Sequence, residues 1–362
     1  MSIDVFYNTK QDRFYTELKE KVNDYFKEKN ISKKGNLKMY MITFVLLGIT
    51  YGSYFLILFG NLPEFAMFLL TCVMGVGIAG IGMGIMHDGS HNSYSESKFV
   101  NFIMGSLLNL AGSHKYIWDI RHNALHHMYT NVYKYDYDMV KIFLVRHSPE
   151  AKKRWFHKFQ HLYAPVMIYP YYTLFWLLFY DVFHLRLFTQ FFGDSEEQVK
   201  KHPIRQVLSI IFWRIFYLFY IIVIPYMTLD LPLWHILVGF LVLHISTSLV
   251  LCPIFQVAHI VTETTHAIPD KKGNIKATWA ENQVTSSCNF SLNNKLMTWF
   301  CGGLNYQIEH HLFPWICSIH YPDLQPIIKK TIEKYKLPYN VHPTLLTAYG
   351  SHLACLKKLG NE

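Results

Sequence analysis

The chain has 362 residues, of which 51% are apolar and only 16% are charged, and its formal net charge is +9. Because soluble globular proteins carry roughly 25% charged residues, this composition argues against an ordinary soluble enzyme and excludes a disordered or fibrous protein. No basic helix or aromatic binding motif accompanies the positive charge, so we expect no nucleic-acid partner. The six cysteines form no C-x-x-C pair and lie mostly in or beside apolar stretches, which favours buried thiols over a zinc ribbon or a disulfide framework.

Four apolar runs are long enough to cross a membrane. They lie at about residues 39–59, 65–86, 207–229 and 231–252. Each has about the 20 residues that span a ~30 Å hydrocarbon layer as a helix, and very short connections join them into two hairpins. The sequence therefore predicts an all-α integral membrane protein with four transmembrane helices as two hairpins and a helical cap on one side.

The positions of lysine and arginine predict the orientation. Residues 39–97 contain neither, and residues 206–270 contain only Arg214. The remaining basic residues lie in three segments that four crossings place on one side, and the positive-inside rule makes that side and both termini cytoplasmic. The membrane would be a bacterial inner membrane or the endoplasmic reticulum, with basic flanks contacting lipid headgroups. Residues 163–183 are interpreted as interfacial, with a re-entrant or buried segment as the alternative; a fifth crossing there would invert the orientation of everything that follows.

Histidines are concentrated in three short segments, one of them directly after the second apolar run. The clustered residues are His87, His91, His122, His126, His127, His310 and His311. A spacing of four residues on a helix places two side chains on one face, so His87 with His91, and His122 with His126, should each aim two imidazoles at a common point. Neutral imidazole is the commonest protein metal ligand. Seven such ligands exceed the four of a tetrahedral zinc, which predicts two metal ions.

The ligand types narrow the choice of metal. Soluble di-iron bundles use two Glu-x-x-His pairs and further glutamates, but only residues 263–266, Glu-Thr-Thr-His, fit that pattern here. A carboxylate-bridged site of the soluble type is therefore not supported. An all-histidine pair of irons remains, and oxygen chemistry is its natural use.

The three clusters, in this order and around these crossings, resemble the histidine boxes of the membrane fatty acid desaturases. The similarity continues at residues 129–131 and 136–138, then through 279–289, 302–307 and 312–314. It covers most of residues 40–345, which predicts a desaturase domain at 39–345 between a cytoplasmic segment, 1–38, and a tail, 346–362. Gln307 stands where many members have histidine, as in the front-end branch, which inserts double bonds between an existing one and the carboxyl end.

The resemblance implies a set of iron ligands. The seven clustered histidines match them, and His259 looks like the additional ligand outside the boxes, with His266 as its competitor. Gln307 would contact iron directly, through water, or not at all. Four carboxylates near the clusters would either accept hydrogen bonds from ligand imidazoles and fix their tautomers or be ordinary solvated groups; they are Asp88, Asp136, Asp138 and Glu309.

The resemblance also implies the reaction: two iron ions and dioxygen would desaturate a fatty acyl chain bound to coenzyme A, a glycerolipid or a carrier protein. Fused cytochrome b5 domains carry a His-Pro-Gly-Gly motif, but the sequences at 202–204 and 342–344 lack its glycines. The segment before the first crossing is also too short for such a domain, so we expect a separate electron donor, ferredoxin or cytochrome b5, docking on the basic face.

Other enzymes of the same scaffold are the nearest alternatives: a fatty acid hydroxylase, an acetylenase or a sphingoid-base desaturase. A more distant one is an intramembrane zinc protease, in which His87-Asp88-x-x-His91 would be a variant of H-E-x-x-H that lacks the glutamate base. A haem or metal transporter is the third.

Overall fold

The computed structural model describes residues 5–9, 12–136, 138, 143–180 and 202–362. Within these residues, four helices are long and apolar enough to span a membrane. We refer to them as crossing helices 1 to 4, and they are Leu37–Phe59, Glu64–Ser90, Ile204–Thr228 and Leu233–His259. They confirm the predicted all-α membrane architecture and its two hairpins.

Crossing helices 2 and 4 extend further than the apolar pattern predicts. Crossing helix 2 runs as an α-helix over Glu64–Gly80, as a π-helix over Ile81–Met86 and again as an α-helix over His87–Ser90, which carries the start of the first histidine cluster. Crossing helix 4 does not end at residue 252 but continues past Pro253 to His259. Polar residues such as Gln256 end the apolar run, but they do not end the backbone hydrogen bonding.

Crossing helix 2 packs between crossing helices 1 and 4. A β-carbon on Gly77 would lie 2.2 Å from Thr50 Oγ1 on crossing helix 1, and one on Gly75 would lie 2.7 Å from Ser246 Cβ on crossing helix 4. Small residues let helix backbones approach closely, which is the usual basis of helix association in membranes. The first hairpin is thereby joined to the helix that ends at His259.

Short helices and turns build the side of the molecule that carries the histidines, together with two short parallel strands in which Asn289 pairs with Val341. Between crossing helices 2 and 3 these elements are Lys98–Ser106, Leu107–Ala111, Lys115–Trp118, Asp119–His126, His127–Tyr129, Trp155–Phe159, Gln160–Tyr163, Ala164–Ile168, Tyr169–Tyr171, Tyr172–Phe175 and Trp176–Tyr180. After crossing helix 4 they are Trp279–Thr285, Asn289–Phe290, Lys295–Phe300, Gln307–Leu312, Ser318–His320, Tyr321–Lys334 and Val341–His342. Crossing helix 3 comprises Ile204–Leu218, a π-helical Phe219–Val223 and Ile224–Thr228.

The apolar stretch predicted at the interface packs along crossing helix 4. Thr173 Oγ1 lies 2.8 Å from Ser248 Oγ and 3.0 Å from His244 Nδ1, and both partners stand well inside that helix. The described part of the stretch is therefore held against the bundle, as in the buried alternative. Residues 181–183 lie outside the described residues.

The segments on either side of the predicted desaturase domain each contain a helix that packs against other described parts of the chain. An N-terminal helix, Arg13–Lys29, buries Leu18 and three other apolar side chains against the helix Tyr321–Lys334. Each such burial stabilises by about 1.5–3 kcal/mol. A C-terminal helix, Leu345–Asn361, buries Leu356, whose carbonyl accepts a hydrogen bond from Gln160 Nε2 at 2.7 Å. This helix therefore packs against the described part of the domain that precedes it.

Candidate metal centre

Eight histidines meet in one region at the end of crossing helices 2 and 4. Seven of them are buried, and His91 is half-buried. Their ring nitrogens form groups within which the atoms lie no more than 4.8 Å apart. The first group is His87, His91, His122 and His310; the second is His126, His259 and His311; His127 joins the two through His310 and His311.

Five elements of the chain supply these histidines. They are crossing helix 2, directly after which His91 follows, the helices Asp119–His126, His127–Tyr129 and Gln307–Leu312, and crossing helix 4. His87 and His91 both enter the first group, with ring centroids 4.7 Å apart, as their spacing predicts. His122 enters the first group and His126 the second, and the two also form a group with Asp138. Their rings stack with centroids 5.2 Å apart on the π-helix Asp119–His126. The two imidazoles therefore lie together, as their spacing predicts, but each also faces different partner histidines.

Protein groups behind the rings determine which nitrogen faces the centre. Nδ1 of His122 contacts Asp138 Oδ2 at 2.5 Å, and Nδ1 of His126 contacts Asp136 Oδ1 at 2.9 Å. Likewise, Nδ1 of His259 and of His311 contact Ser286 O at 3.0 Å and Gln283 Oε1 at 2.8 Å. Because these oxygens only accept hydrogen bonds, each Nδ1 carries the hydrogen and each neutral ring presents a lone pair at Nε2.

The Nε2 atoms approach one another closely. Nε2 of His259 lies 3.1 Å from Nε2 of His311, so two lone pairs face each other there, and the lone pair of His122 Nε2 lies 3.1 Å from Nε2 of His87. Among the described residues, Nε2 of His91 and of His310 has no hydrogen-bond partner although both atoms are buried. Facing acceptors without a hydrogen between them repel, and a buried polar atom left unpaired costs about 1–3 kcal/mol. A cation in each group would bind the facing lone pairs and would also give the unpaired Nε2 atoms a partner. The residues therefore fit two metal ions. Imidazole suits Fe, Zn, Cu and Ni.

The ionisation of these rings agrees with a ligand role. Burial, followed by the neighbouring imidazoles, holds the pKa of His91, His310 and His311 well below the usual value, so the rings are neutral. His126 differs: burial acts to lower its pKa, but the carboxylates of Asp136 and Asp138 together outweigh it and leave the pKa raised. Neutral rings can donate a lone pair to a metal, and a nearby carboxylate makes its ring a stronger base.

The other two candidate carboxylates have different partners. Asp88 Oδ2 accepts hydrogen bonds from Ser318 Oγ at 2.8 Å and Ser318 N at 3.2 Å. Glu309 accepts from Asn289 Nδ2 and Tyr339 OH, both at 2.8 Å, and burial raises its pKa to about 7. The expectation that Asp88 and Glu309 accept from ligand imidazoles is therefore not met; each instead ties a histidine cluster to a neighbouring segment.

Two further candidates lie near the centre. Gln307 is buried, and its Nε2 donates to Leu304 O at 2.7 Å. His266 belongs to none of the groups found among the described residues, whereas His259 enters the second. The geometry thus favours His259 over His266.

Sequence reasoning missed several residues that position the site. Arg121 is 2% exposed, its Nε lies 2.8 Å from Asp138 Oδ1, and its guanidinium carbon lies 3.3 Å from the ring centroid of Trp176. Gln283 and Ser286 orient His311 and His259. Gln283 and Ser286 fall within a stretch that the family resemblance includes, but their roles depend on contacts between distant segments.

An apolar cavity lies beside the metal centre, with Trp118 between them. Trp118 stacks on the ring of His122, with centroids 4.4 Å apart, and also lines this cavity together with Met86, Tyr172 and Phe255. We call it the Trp118 cavity. It continues between the crossing helices to Tyr217 and His244, so an apolar chain could bring a carbon close to the histidine groups.

The chain is similar in sequence to several known proteins. The family model for fatty acid desaturase matches residues 63–343. The chain is 34% identical to the sn-1 linoleoyl-lipid 6-desaturase of Arthrospira platensis, over 96% of this chain and 92% of that protein. It is 31% identical to the Synechocystis sp. enzyme of the same name, over 97% of both chains, and 34% identical to the acyl-lipid (8-3)-desaturase of Physcomitrium patens, over 98% of this chain and 73% of that one.

Proposed function

The chain belongs to the fatty acid desaturase family, and on that basis we propose that it inserts a cis double bond into a lipid-bound acyl chain at a centre of two iron ions. It is an oxidoreductase of the front-end type, as are the relatives named as linoleoyl-lipid and acyl-lipid desaturases. The new double bond would lie between an existing one and the carboxyl end. The zinc protease and transporter alternatives are set aside by the family assignment.

The facing Nε2 lone pairs are the observation that carries this proposal. His87, His91, His122 and His310 would hold one iron, and His126, His259 and His311 the other, with His127 between them. Asp138, Asp136, Gln283 and Ser286 would keep four of these rings in the tautomer that a ligand needs. An all-nitrogen ligand set of this size is compatible with iron.

The iron centre would supply the activation of dioxygen that allows hydrogen to be removed from an unactivated methylene. The reaction balances when the acyl chain gives two hydrogens, a donor gives two electrons, two protons are taken up from water, and one dioxygen becomes two waters. The protein's own share is positioning: Trp118 and Met86 border both the histidines and the cavity, so they would set which carbon pair lies nearest the centre. The apolar walls would keep water away from the reacting carbons.

We further propose that the histidine side faces the cytoplasm and receives electrons from a separate ferredoxin or cytochrome b5. Lysine is frequent on this side, as at Lys33 and Lys34 before crossing helix 1 and Lys38 in its first turn, and crossing helices 2 and 4 carry no lysine or arginine. A basic surface suits an acidic electron carrier and anionic lipid headgroups.

The test is a fatty acid profile of a host that expresses the chain together with a ferredoxin and a cytochrome b5 and is fed mono- and di-unsaturated acids. We expect a new polyene with the wild-type chain and with His235→Ala, a histidine at the far end of crossing helix 4, but none with His310→Ala. Gas chromatography and mass spectrometry give the position of the double bond. A product heavier by one oxygen would instead identify the hydroxylase, a triple bond the acetylenase, and a modified long-chain base the sphingoid-base desaturase. Absence of both product and bound iron in the purified protein would overturn the proposal.

A further inference from the structure

Crossing helix 2 contains six glycines in its histidine half, and five of them are explained by close packing. A β-carbon on Gly75, Gly77, Gly80, Gly84 or Gly89 would lie between 2.2 and 3.2 Å from an atom of a neighbouring segment. Gly82 differs from these five. Outside its own helix backbone, no atom of the described residues lies within 4 Å of the place where its β-carbon would stand. Helix packing therefore does not require glycine at position 82.

The open space beside Gly82 belongs to two apolar cavities. One is the Trp118 cavity; the other, which we call the Tyr51 cavity, is lined by Thr50, Tyr51, Leu107 and Tyr220 among others. The two cavities share five lining residues: Ile78, Gly82, Met86, Leu108 and Ala111. Gly82 is thus at their common border, and it is the shared residue that contributes no side chain.

Gly82 is also close to the first histidine group along crossing helix 2. It precedes His87 by five residues, which corresponds to roughly 7–8 Å along a helix axis. Met86, one of the five shared residues, directly precedes His87, and the ring of Trp118 lies 6.3 Å from the ring of His87. An acyl chain with one carbon pair at Trp118 would have to continue past position 82 to reach the Tyr51 cavity.

We propose that Gly82 is a specificity-determining residue: its missing side chain opens the passage through which the methyl end of the acyl chain runs from the Trp118 cavity into the Tyr51 cavity. This inference rests on the proposed desaturase function. In a front-end reaction the long remainder of the substrate lies on the methyl side of the new double bond, so this is the part that needs a second cavity. Because a β-carbon at 82 points into open space, a larger side chain there would fill the passage while leaving the helix contacts unchanged.

The experiment compares Gly82→Leu with Gly52→Leu. Gly52 is a matched control, because it is also a half-buried glycine in a crossing helix, has no neighbour within 4 Å of its β-carbon position and lines neither cavity. Cells would receive a linoleoyl substrate and an analogue shortened at the methyl end with the same double bonds counted from the carboxyl group. We expect Gly82→Leu to reduce conversion of the full-length chain about tenfold or more and to leave the shortened chain converted as by the wild type. Gly52→Leu should change neither.

Protein amount in the membrane and bound metal are measured for every variant. If Gly82→Leu does not accumulate, Gly82→Ala and Gly82→Val replace it, and the ratio of long to short product should fall stepwise with side-chain size. An unchanged ratio across the series, or the same change in the Gly52 variant, would overturn the inference. Failure of the wild-type chain to desaturate any substrate would instead overturn the proposed function, so the two failures are distinguishable.

Discussion

Gly84 and Gly302 are in direct backbone contact: a β-carbon on Gly302 would stand 2.1 Å from the α-carbon of Gly84. Gly302 also has a φ of +55°, in the left-handed region that favours glycine. Gly84 lies three residues before the first histidine cluster, and Gly302 lies in the turn before the third. The rings of His87 and His310 are 4.4 Å apart, and this glycine contact allows the two clusters to come that close.

Gly302→Ala should therefore damage the metal centre without touching a histidine. The added methyl group must push two backbones apart, and overpacking of this kind costs about 1–3 kcal/mol. We expect a lower thermal unfolding midpoint in detergent and less retained metal. Gly48→Ala is the control, since its β-carbon would meet no described neighbour within 4 Å. Equal stability and metal content in the two variants would show that the contact is unimportant.

His259 and His266 can be distinguished by metal content. His259 Nε2 faces His311 Nε2, whereas His266 enters none of the histidine groups in the described part of the chain. We expect His259→Ala to lose bound iron and activity, and His266→Ala to keep most of both. Elemental analysis of the purified proteins gives the number of irons per chain. The ligand assignment is wrong if the His266 variant is the one that loses metal.

Asp138 should affect metal affinity through His122. Its carboxylate accepts a hydrogen bond from His122 Nδ1 and forms an ion pair with Arg121. Asp138→Asn would weaken the hydrogen bond that orients the His122 ring, and it would remove the negative charge beside the buried Arg121 guanidinium. Loss of such a partner typically lowers metal affinity or activity about 10–100-fold. The measurement is iron retention during dialysis against a chelator. Asp119→Asn is the comparison, because that partly exposed carboxylate pairs with Lys115 on the same segment; similar losses in both would argue against a specific role.

His352 predicts a pH dependence of stability that is separate from the metal ligands. Its Nδ1 donates to Ile260 O at 2.7 Å, and its Nε2 accepts from Tyr169 OH at 2.7 Å. Burial lowers the pKa of His352 to about 4 from 6.5, although the hydrogen bond to Ile260 acts in the opposite direction. Since the unfolded chain takes up the proton first, the stability contribution is complete above about pH 6.5 and declines as the pH falls toward 4.

At pH 5 the loss amounts to roughly 2 kcal/mol, from 1.36 kcal/mol per pH unit. The thermal unfolding midpoint of the wild type should therefore drop more between pH 7.5 and pH 5 than that of His352→Gln. The other buried histidines are present in both proteins, so the difference between the two drops reports on His352. Parallel curves would contradict the prediction.

The crossing helices and the histidine clusters were predictable because both are local patterns. A run of apolar residues and a spacing of four can be read without knowing what the segment will contact. The helix that ends at His259 was predicted seven residues too short. The prediction took the end of the apolar run as the end of the helix, whereas the helix ends where its backbone hydrogen bonds end.

Contacts between distant segments explain what sequence reasoning missed. The spacing of His122 and His126 predicts that their rings lie together, but it does not predict that each ring also joins histidines from different distant segments. Asp88 and Glu309 stand beside histidines in the sequence, yet their carboxylates contact Ser318 and Asn289 instead. Arg121 becomes recognisable as part of the site only when Asp138 and Trp176 are brought beside it.

The N-terminal helix has a consequence for biosynthesis. Tyr15 OH donates to Leu312 O across 297 residues of sequence, and among the described residues the apolar face of this helix packs in one cluster with side chains from residues 279–339. At ~5–20 residues per second, a ribosome needs roughly 15–60 s to deliver that partner. During this interval the N-terminal helix lacks these partners, and the third histidine cluster does not yet exist. The set of histidines that would hold two metal ions is therefore complete only after both membrane hairpins have been synthesised.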